Sequence, residues 1–358
     1  MVGIQRGGVI ATPPGERRED TLRQFIFRHL IATTASLAVL ALAGPASAAD
    51  NPIVIKFSHV VASNTPKGLA ADKFKELAEK YTDGKVKIEV YPNSQLYKDK
   101  EELEALQLGA VQMLAPSNSK FGPIGVKEFE VFDLPYLFPD VDALHRVYNG
   151  PVGAGLLKKL ESKGLVGLAF WDNGFRVMSA NRQIHVPSEM KGLKMRINSS
   201  KVNQAIMKSV GAVPQTMAFS EVYQGLQTGV IDGTEGPLSN LYTQKQYEVQ
   251  KQVTLTFHTV TNYVVVTNKA FWEKLPPDIR TTLEGAMKDA TKLNDSVAEK
   301  DEAAAMAAIK ASGKTEIYKP TAAEHEMWVK AMLPVQDEMA SRVKKETITA
   351  VRNAAAAK

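Results

Sequence analysis

The stretch "KGLKMRINSS", residues 191–200, sets Lys194 and Arg196 two apart among Leu193, Met195 and Ile197. A guanidinium is planar and offers two parallel hydrogen bonds to a carboxylate. An arginine held at a site therefore selects acids by geometry as well as charge. The period-two alternation predicts a strand with one buried face. It leaves Lys194 and Arg196 equal on the other face. Other chemistry is poorly provided for. The histidines, His29, His59, His145, His185, His258 and His325, show no helical metal-ligand spacing and no HExxH. The chain has neither a G-x-S-x-G elbow for a nucleophilic serine nor a G-x-x-x-x-G-K loop for a phosphate. Zero cysteines remove disulfides, thiolate catalysis and cysteine-bound metals. "GPVGAG" (150–155) is glycine-rich, but Pro151 follows its first glycine, so it reads as a helix-start turn. The carboxylates of "ELEALQ" (102–107) read as a solvated helix face. No catalytic set is assembled, and no cofactor or metal is expected.

The elements around these residues alternate. "IVIKFSHV" (53–60) reads as a strand. A helix follows from Thr65-Pro66 to Gly84, with Leu69, Phe74, Leu77 and Tyr81 along one face. "KVKIEVYP" is a strand, "DKEELEALQLGA" a short helix and "VQMLAP" a strand. This order predicts an α/β domain with a largely parallel sheet. A second α/β run begins after "LVGLAFWDNG", with strands at "FRVMSA" and "LKMRI" and helices at "SKVNQAIMKSVG" and "SEVYQGLQTG". "YVVVTN" (263–268) is a strongly apolar strand. After Pro276-Pro277 a pattern without breakers runs from Asp278 to about Ser312. Ile279, Leu283, Met287, Ala290, Leu293 and Val297 form its apolar stripe, and a bend near Asp301 is the alternative to one straight helix. A helix of that length spans about 50 Å, enough to underlie two domains. A further helix covers about Ala322 to Arg352, kinked at Pro334.

Composition allows real cores, with 44% hydrophobic and 23% charged residues in 358. The formal net charge is +5, and five arginines against three acids lie before Ala49, so the remainder is close to neutral. That excludes a strongly basic nucleic-acid face. Arg23 and Arg28 precede the apolar run "LIATTASLAVLAL", which ends before Gly44-Pro45 and "ASAAD". A bilayer needs about 20 apolar residues, more than this run holds. Residues 1–49 are therefore expected to be an export signal cleaved near Ala48 or Ala49. An exported two-part α/β chain without a catalytic motif suggests a ligand-binding module with a cleft between domains. An exported enzyme with an unrecognised site is the alternative.

Specific stretches carry more. "KGLKMRI", "GAVPQTMAFSEVYQGLQTGVIDGTEGP" and "YTQKQYEVQK" resemble the solute-binding proteins of tripartite ATP-independent periplasmic (TRAP) transporters, the DctP family. The resemblance extends through "VYPNSQLYKDKEELEALQLGAVQML" and "EFEVFDLPYLF". "WDNGFRVMSAN" with "SNLYTQKQYEVQK" is similar to the four-carbon dicarboxylate branch. It implies a periplasmic-binding-protein-like fold of two α/β domains with a long helix spanning both. The expected division is 50–173 plus 262–301 for one domain and 174–261 plus 302–358 for the other. Crossings are placed near Asn173, Asn262 and Asp301. The resemblance also implies a small carboxylate ligand, a four-carbon dicarboxylate such as succinate, fumarate or malate, with a 2-oxo, sugar or aromatic acid, or a ligand-sensing role, as the alternatives. It further implies a monomer in the periplasm, and partnership with small and large TRAP membrane subunits. Uptake in such systems is driven by an ion gradient. By the same resemblance Arg196 binds the substrate carboxylate, Arg176 is a second cation, and Phe219 lines the pocket. Gly236 stands where the family commonly has asparagine, with Glu235 behind it. The first domain is expected to contribute His59, Ser117 and Lys120 from its strand mouths.

Overall fold

The computed structural model describes residues 51–357. The export-signal reading of residues 1–49 lies outside them. Two sheets organise the chain. The first runs β2-β1-β3-β10-β4, with β1 Ile53–Ser58, β2 Val86–Tyr91, β3 Met113–Leu114, β4 Leu165–Phe175 and β10 Val260–Asn268. The second runs β11-β9-β5-β8-β6-β7, with β5 Val177–Ala180, β6 Lys194–Ile197, β7 Val213–Thr216, β8 Gly233–Gly236, β9 Gln252–Thr254 and β11 Glu316–Tyr318. We call the bodies around them the first and second lobes.

Both sheets are mixed rather than largely parallel. β1 pairs parallel with β2 and β3, but β10 is antiparallel to both β3 and β4. In the second sheet β5 is antiparallel to β8 and β9. The antiparallel partners are the strands on which the chain changes lobes. It leaves the first sheet at Phe175, enters the second at Val177, and returns between Thr254 and Val260. Such strands arrive without the crossover helix that enforces parallel pairing.

Helix α1, Pro66–Tyr81, starts where Thr65 accepts a hydrogen bond from the Gly68 amide and Pro66 takes the first turn. Phe74, Leu77 and three alanines bury its inner face, whereas Leu69 and Tyr81 are exposed. The short alanine rows are what let α1 sit close to the sheet, and the two larger residues fall off the stripe. Helix α2, Glu102–Gln107, and helix α3, Val141–Tyr148, complete the parts of the first lobe used below. In the second lobe, Ser200 caps α4, Lys201–Ser209, and α5, Val222–Gln227, and α6, Leu238–Thr243, follow.

Helix α7, Pro277–Ser312, has 36 residues and no interruption at Asp301, so it extends about 54 Å. Ile279, Leu283, Met287 and Ala290 pack with β1 and α1. Ala305 and Ile309 pack with Val177, Leu238 and Val253 of the second lobe. Between them the buried row moves to Asn294 and Ala298, leaving Leu293 and Val297 only half-buried. A helix of 3.6 residues per turn drifts off a mixed three-and-four spacing, so the inward face advances by one residue. Gly174, at φ 156°, lets this helix pass close: a Cβ there would lie 2.7 Å from the Glu302 carboxyl carbon.

The tail is not one kinked helix. Helix α8, Ala322–Met332, packs on the second lobe, where Trp328 Nε1 donates to His185 O at 2.9 Å. After Pro334 come two single turns, then Lys344 at φ 76° and helix α9, Lys345–Ala356. This last segment returns to the first lobe. Arg342 pairs with Glu130, and Arg146 Nη2 donates to Ala355 O at 2.6 Å. No described helix is long and apolar enough to cross a membrane.

Candidate ligand site

Strand β6 carries both Lys194 and Arg196. Lys194, at its start, is exposed, whereas Arg196 is 5% exposed. The strand lies between β8 and β7, so its C-terminal end points into the interlobe cleft while its first residue stays at the rim. Arg196 Nε and Nη2 donate to Met217 O at 3.1 and 3.0 Å. A guanidinium has five N–H donors, so three remain, two on Nη1 and one on Nη2. That free edge is the bidentate one. Asp99 of the first lobe stands 3.8 Å from Nη2, and the Phe219 ring centroid 5.6 Å from the guanidinium carbon. Burial lowers the Arg196 pKa, with Asp99 and Glu235 opposing.

Arg196 and Phe219 share the wall of one cavity of about 60 Å³ with Arg176, Glu235, Gly236, Ser117 and Lys120. Seven of the nine sequence-selected residues thus meet at one place, from both lobes. Asn173 and His59 do not line it. Asn173 turns toward α6, where its Oδ1 accepts from Ser239 Oγ at 3.3 Å. His59 is fully buried beyond Val60 and Val61, which do reach the cavity, and neither ring nitrogen finds a partner. Burial, then the nearby Lys67, lowers its pKa to about 3, so it is neutral.

Arg176, expected as a second cation, already has partners within the protein. Its Nη1 donates to both Glu235 oxygens at 2.7 Å, and Nη2 lies 3.8 Å from Asp133. Burial opposes its charge, but Glu235 and Asp133 outweigh that and raise its pKa. Two carboxylates therefore neutralise it within the protein. Gly236 leaves open space: a Cβ would meet only Leu241 Cδ1, at 3.6 Å.

The first lobe supplies residues that the sequence reading missed. Lys67 and Glu102 are each 1% exposed, and both line the cavity with Asp99, Asn240 and Tyr263. Glu102 opens α2, the segment read as a solvated face. Glu104 does face solvent, but Glu102 is turned inward by the burial of Leu103 and Leu106 beside it. Asp99 holds Lys120 at 2.5 Å and accepts from the Phe219 amide at 2.9 Å. Burial pushes Asp99 up, and Lys120 and Arg196 more than offset this, leaving it below the usual carboxylate range. The contact to Phe219 and the Lys98–Glu221 pair at 2.8 Å bridge the two lobes. Only folding in three dimensions marks Lys67, since a lysine near a helix start carries no signal of its own.

The arrangement can hold a small anion between lobes. It offers cations from both sides and a bidentate arginine edge. Nothing in it forms a nucleophile–base pair.

The comparisons agree with this architecture. The sequence profile of the family described as "Bacterial extracellular solute-binding protein, family 7" (DctP) matches residues 57–342. The chain is 58% identical over 329 residues to the C4-dicarboxylate-binding periplasmic protein DctP of Rhodobacter capsulatus, covering 92% of this chain and 99% of that one. A TRAP periplasmic solute binding protein from Shewanella oneidensis, solved with bound succinate, matches with a TM-score of 0.83 and 43% identity, covering 85% of this chain and 99% of that one. One from Pseudomonas aeruginosa PAO1, with bound L-malate, matches with a TM-score of 0.78 and 42% identity, covering 80% and 100%. These are two-domain periplasmic binding folds with a connecting helix, which the two sheets and α7 reproduce. The chain belongs to the DctP family of extracytoplasmic solute-binding proteins, which bind solutes for transport rather than convert them.

Proposed function

We propose that this protein captures a four-carbon dicarboxylate such as succinate, fumarate or malate by closure of its two lobes, and hands it to TRAP membrane subunits. The observation that carries the reading is the free bidentate edge of Arg196 inside a cavity walled from both lobes. One carboxylate takes that edge, with Phe219 against it. Asp99, bonded to Lys120 and to the Phe219 amide, latches the lobes over the ligand. Differential contacts of this kind are what allow a ligand to shift an open–closed equilibrium. Ser117, Glu235 and Gly236 shape the remaining wall, and Asn173 and His59 act from behind it. The ligand-closing units are 50–173 with 262–301 and 174–261 with 302–358, the last helix reaching back to the first lobe. The working form is a periplasmic monomer cleaved near Ala48 or Ala49.

A thermal-shift screen of the mature protein against organic acids tests this. A ligand at a thousand times its dissociation constant stabilises by about 4 kcal/mol. Succinate, fumarate or malate should give that shift, and single-carboxylate sugar acids a smaller one. A flat response to all three dicarboxylates refutes the proposal.

A further inference from the structure

Charge in the cavity does not yet balance for a dianion. Lys67, Lys120, Arg176 and Arg196 are the cations of the wall, and Asp99, Glu102 and Glu235 the anions. Asp133, 3.8 Å behind Arg176, adds a fourth anion. With every group ionised the site is neutral. A dicarboxylate entering with two negative charges would then bury net charge away from water, at large cost.

The four carboxylates are not equivalent. Asp99 is held by Lys120 and the Phe219 amide, and Glu235 by Arg176. Asp133 accepts on Oδ1 from Asn118 at 3.1 Å and Ser119 at 2.8 Å, while its Oδ2 is buried without a partner. Glu102 has no side-chain hydrogen bond among the described residues, and its buried Oε1 lacks any partner. It is the carboxylate that loses least by taking a proton. Lys67, in the first turn of α1, lines the same cavity, and its charge acts on Glu102 with no ion pair within 4.0 Å between them. Lys67 Nζ donates to Ala115 O at 2.9 Å and lies 3.6 Å from the Tyr263 ring centroid, keeping donors over for a ligand. The other charged groups facing Glu102 are Asp99 and Lys120. Burial raises the Glu102 pKa, with Lys67 opposing and Asp99 adding, and burial lowers that of Lys67, with Glu102 and Asp99 opposing.

We propose that Lys67 receives the second carboxylate of the ligand, and that Glu102 takes up a proton as the ligand enters, freeing Lys67 from its counter-charge. This rests on the dicarboxylate reading above. The proton comes from solvent and is returned on release, so no bond of the ligand changes.

Calorimetric titration with succinate at pH 8, in phosphate and in Tris, measures the protons taken up from the difference in heats. The wild-type protein should take up close to one proton, and its affinity should fall up to about tenfold per pH unit between pH 7 and 9. Glu102→Gln should abolish the buffer dependence and bind more tightly than wild type at pH 8. Lys67→Met should lose at least a hundredfold in affinity. Heats from the wild type that are independent of buffer overturn the proposal while leaving the dicarboxylate reading intact. So does a Glu102→Gln protein that keeps the proton uptake, which would place the proton on Lys67. Wild-type affinity in Lys67→Met removes Lys67 from its role, and the Glu102→Gln arm stands even where Lys67→Met fails to fold. No heat at all from the wild type refutes the dicarboxylate reading itself.

Discussion

Removing the guanidinium of Arg196 is the most direct perturbation. Its Nε and one Nη2 hydrogen are committed to Met217 O, so the ligand meets Nη1 and the second Nη2 hydrogen. Two charge-assisted bonds contribute about 1.5–3 kcal/mol each. Arg196→Ala should therefore cost about 3–6 kcal/mol of binding, a rise in Kd of roughly a hundred- to ten-thousandfold. Folding should survive. The loss of donors to Met217 O costs about 1–3 kcal/mol, a few degrees of Tm in a chain of this size. Arg196→Lys keeps the charge and loses the fork, and should fall between, at roughly ten- to a hundredfold. Isothermal titration with succinate reads the affinities, and the apo melting curve separates binding from folding. An Arg196→Ala protein that binds within threefold of wild type would mean that Lys67 and Lys120 hold the ligand alone, and the assignment fails.

Two further outcomes follow from the same geometry. Gly236→Asn should fold with a Tm within a few degrees of wild type, because a Cβ there meets only Leu241 Cδ1 at 3.6 Å. Its amide should shift preference toward malate over succinate, by adding a partner for the hydroxyl; equal loss for both acids in the titration would show that the space is needed. The second concerns acid. His59 is buried with a pKa lowered to about 3, whereas the unfolded side chain titrates near 6.5. The unfolded state therefore binds the extra proton first. The full stability is present above about pH 6.5 and is lost as the pH falls toward 3, at about 1.4 kcal/mol per unit from this residue. His258, lowered to about 4, steepens the same slope. Urea unfolding at pH 7 and pH 5 should show the drop, reduced in His59→Phe. An unchanged slope in that variant would show that His59 is solvated.

The sequence by itself determined the elements whose causes are local. The Thr65-Pro66 start, the helix at "SKVNQAIMKSVG", the alternation in "LKMRI" and the unbroken stretch after Pro277 each act within a few residues, and each element is present. It also carried the family, since "MAFSEVYQGLQTG" and its neighbours are contiguous stretches. Tertiary structure decided what depends on facing. Periodicity cannot say that Glu102 turns inward while Glu104, two residues on, meets water, because that follows from where the sheet and α1 stand. Nor could it show that Glu235 and Asp133 consume the charge of Arg176, or that Lys67 and Asp99, 32 residues apart in sequence, enter one wall. His145 likewise meets Asp172 and Asp295 only in space, within 4.8 Å, across three elements. A buried charge is stabilised by whatever the fold brings within a few ångströms, and that distance is not written in the spacing of residues along the chain.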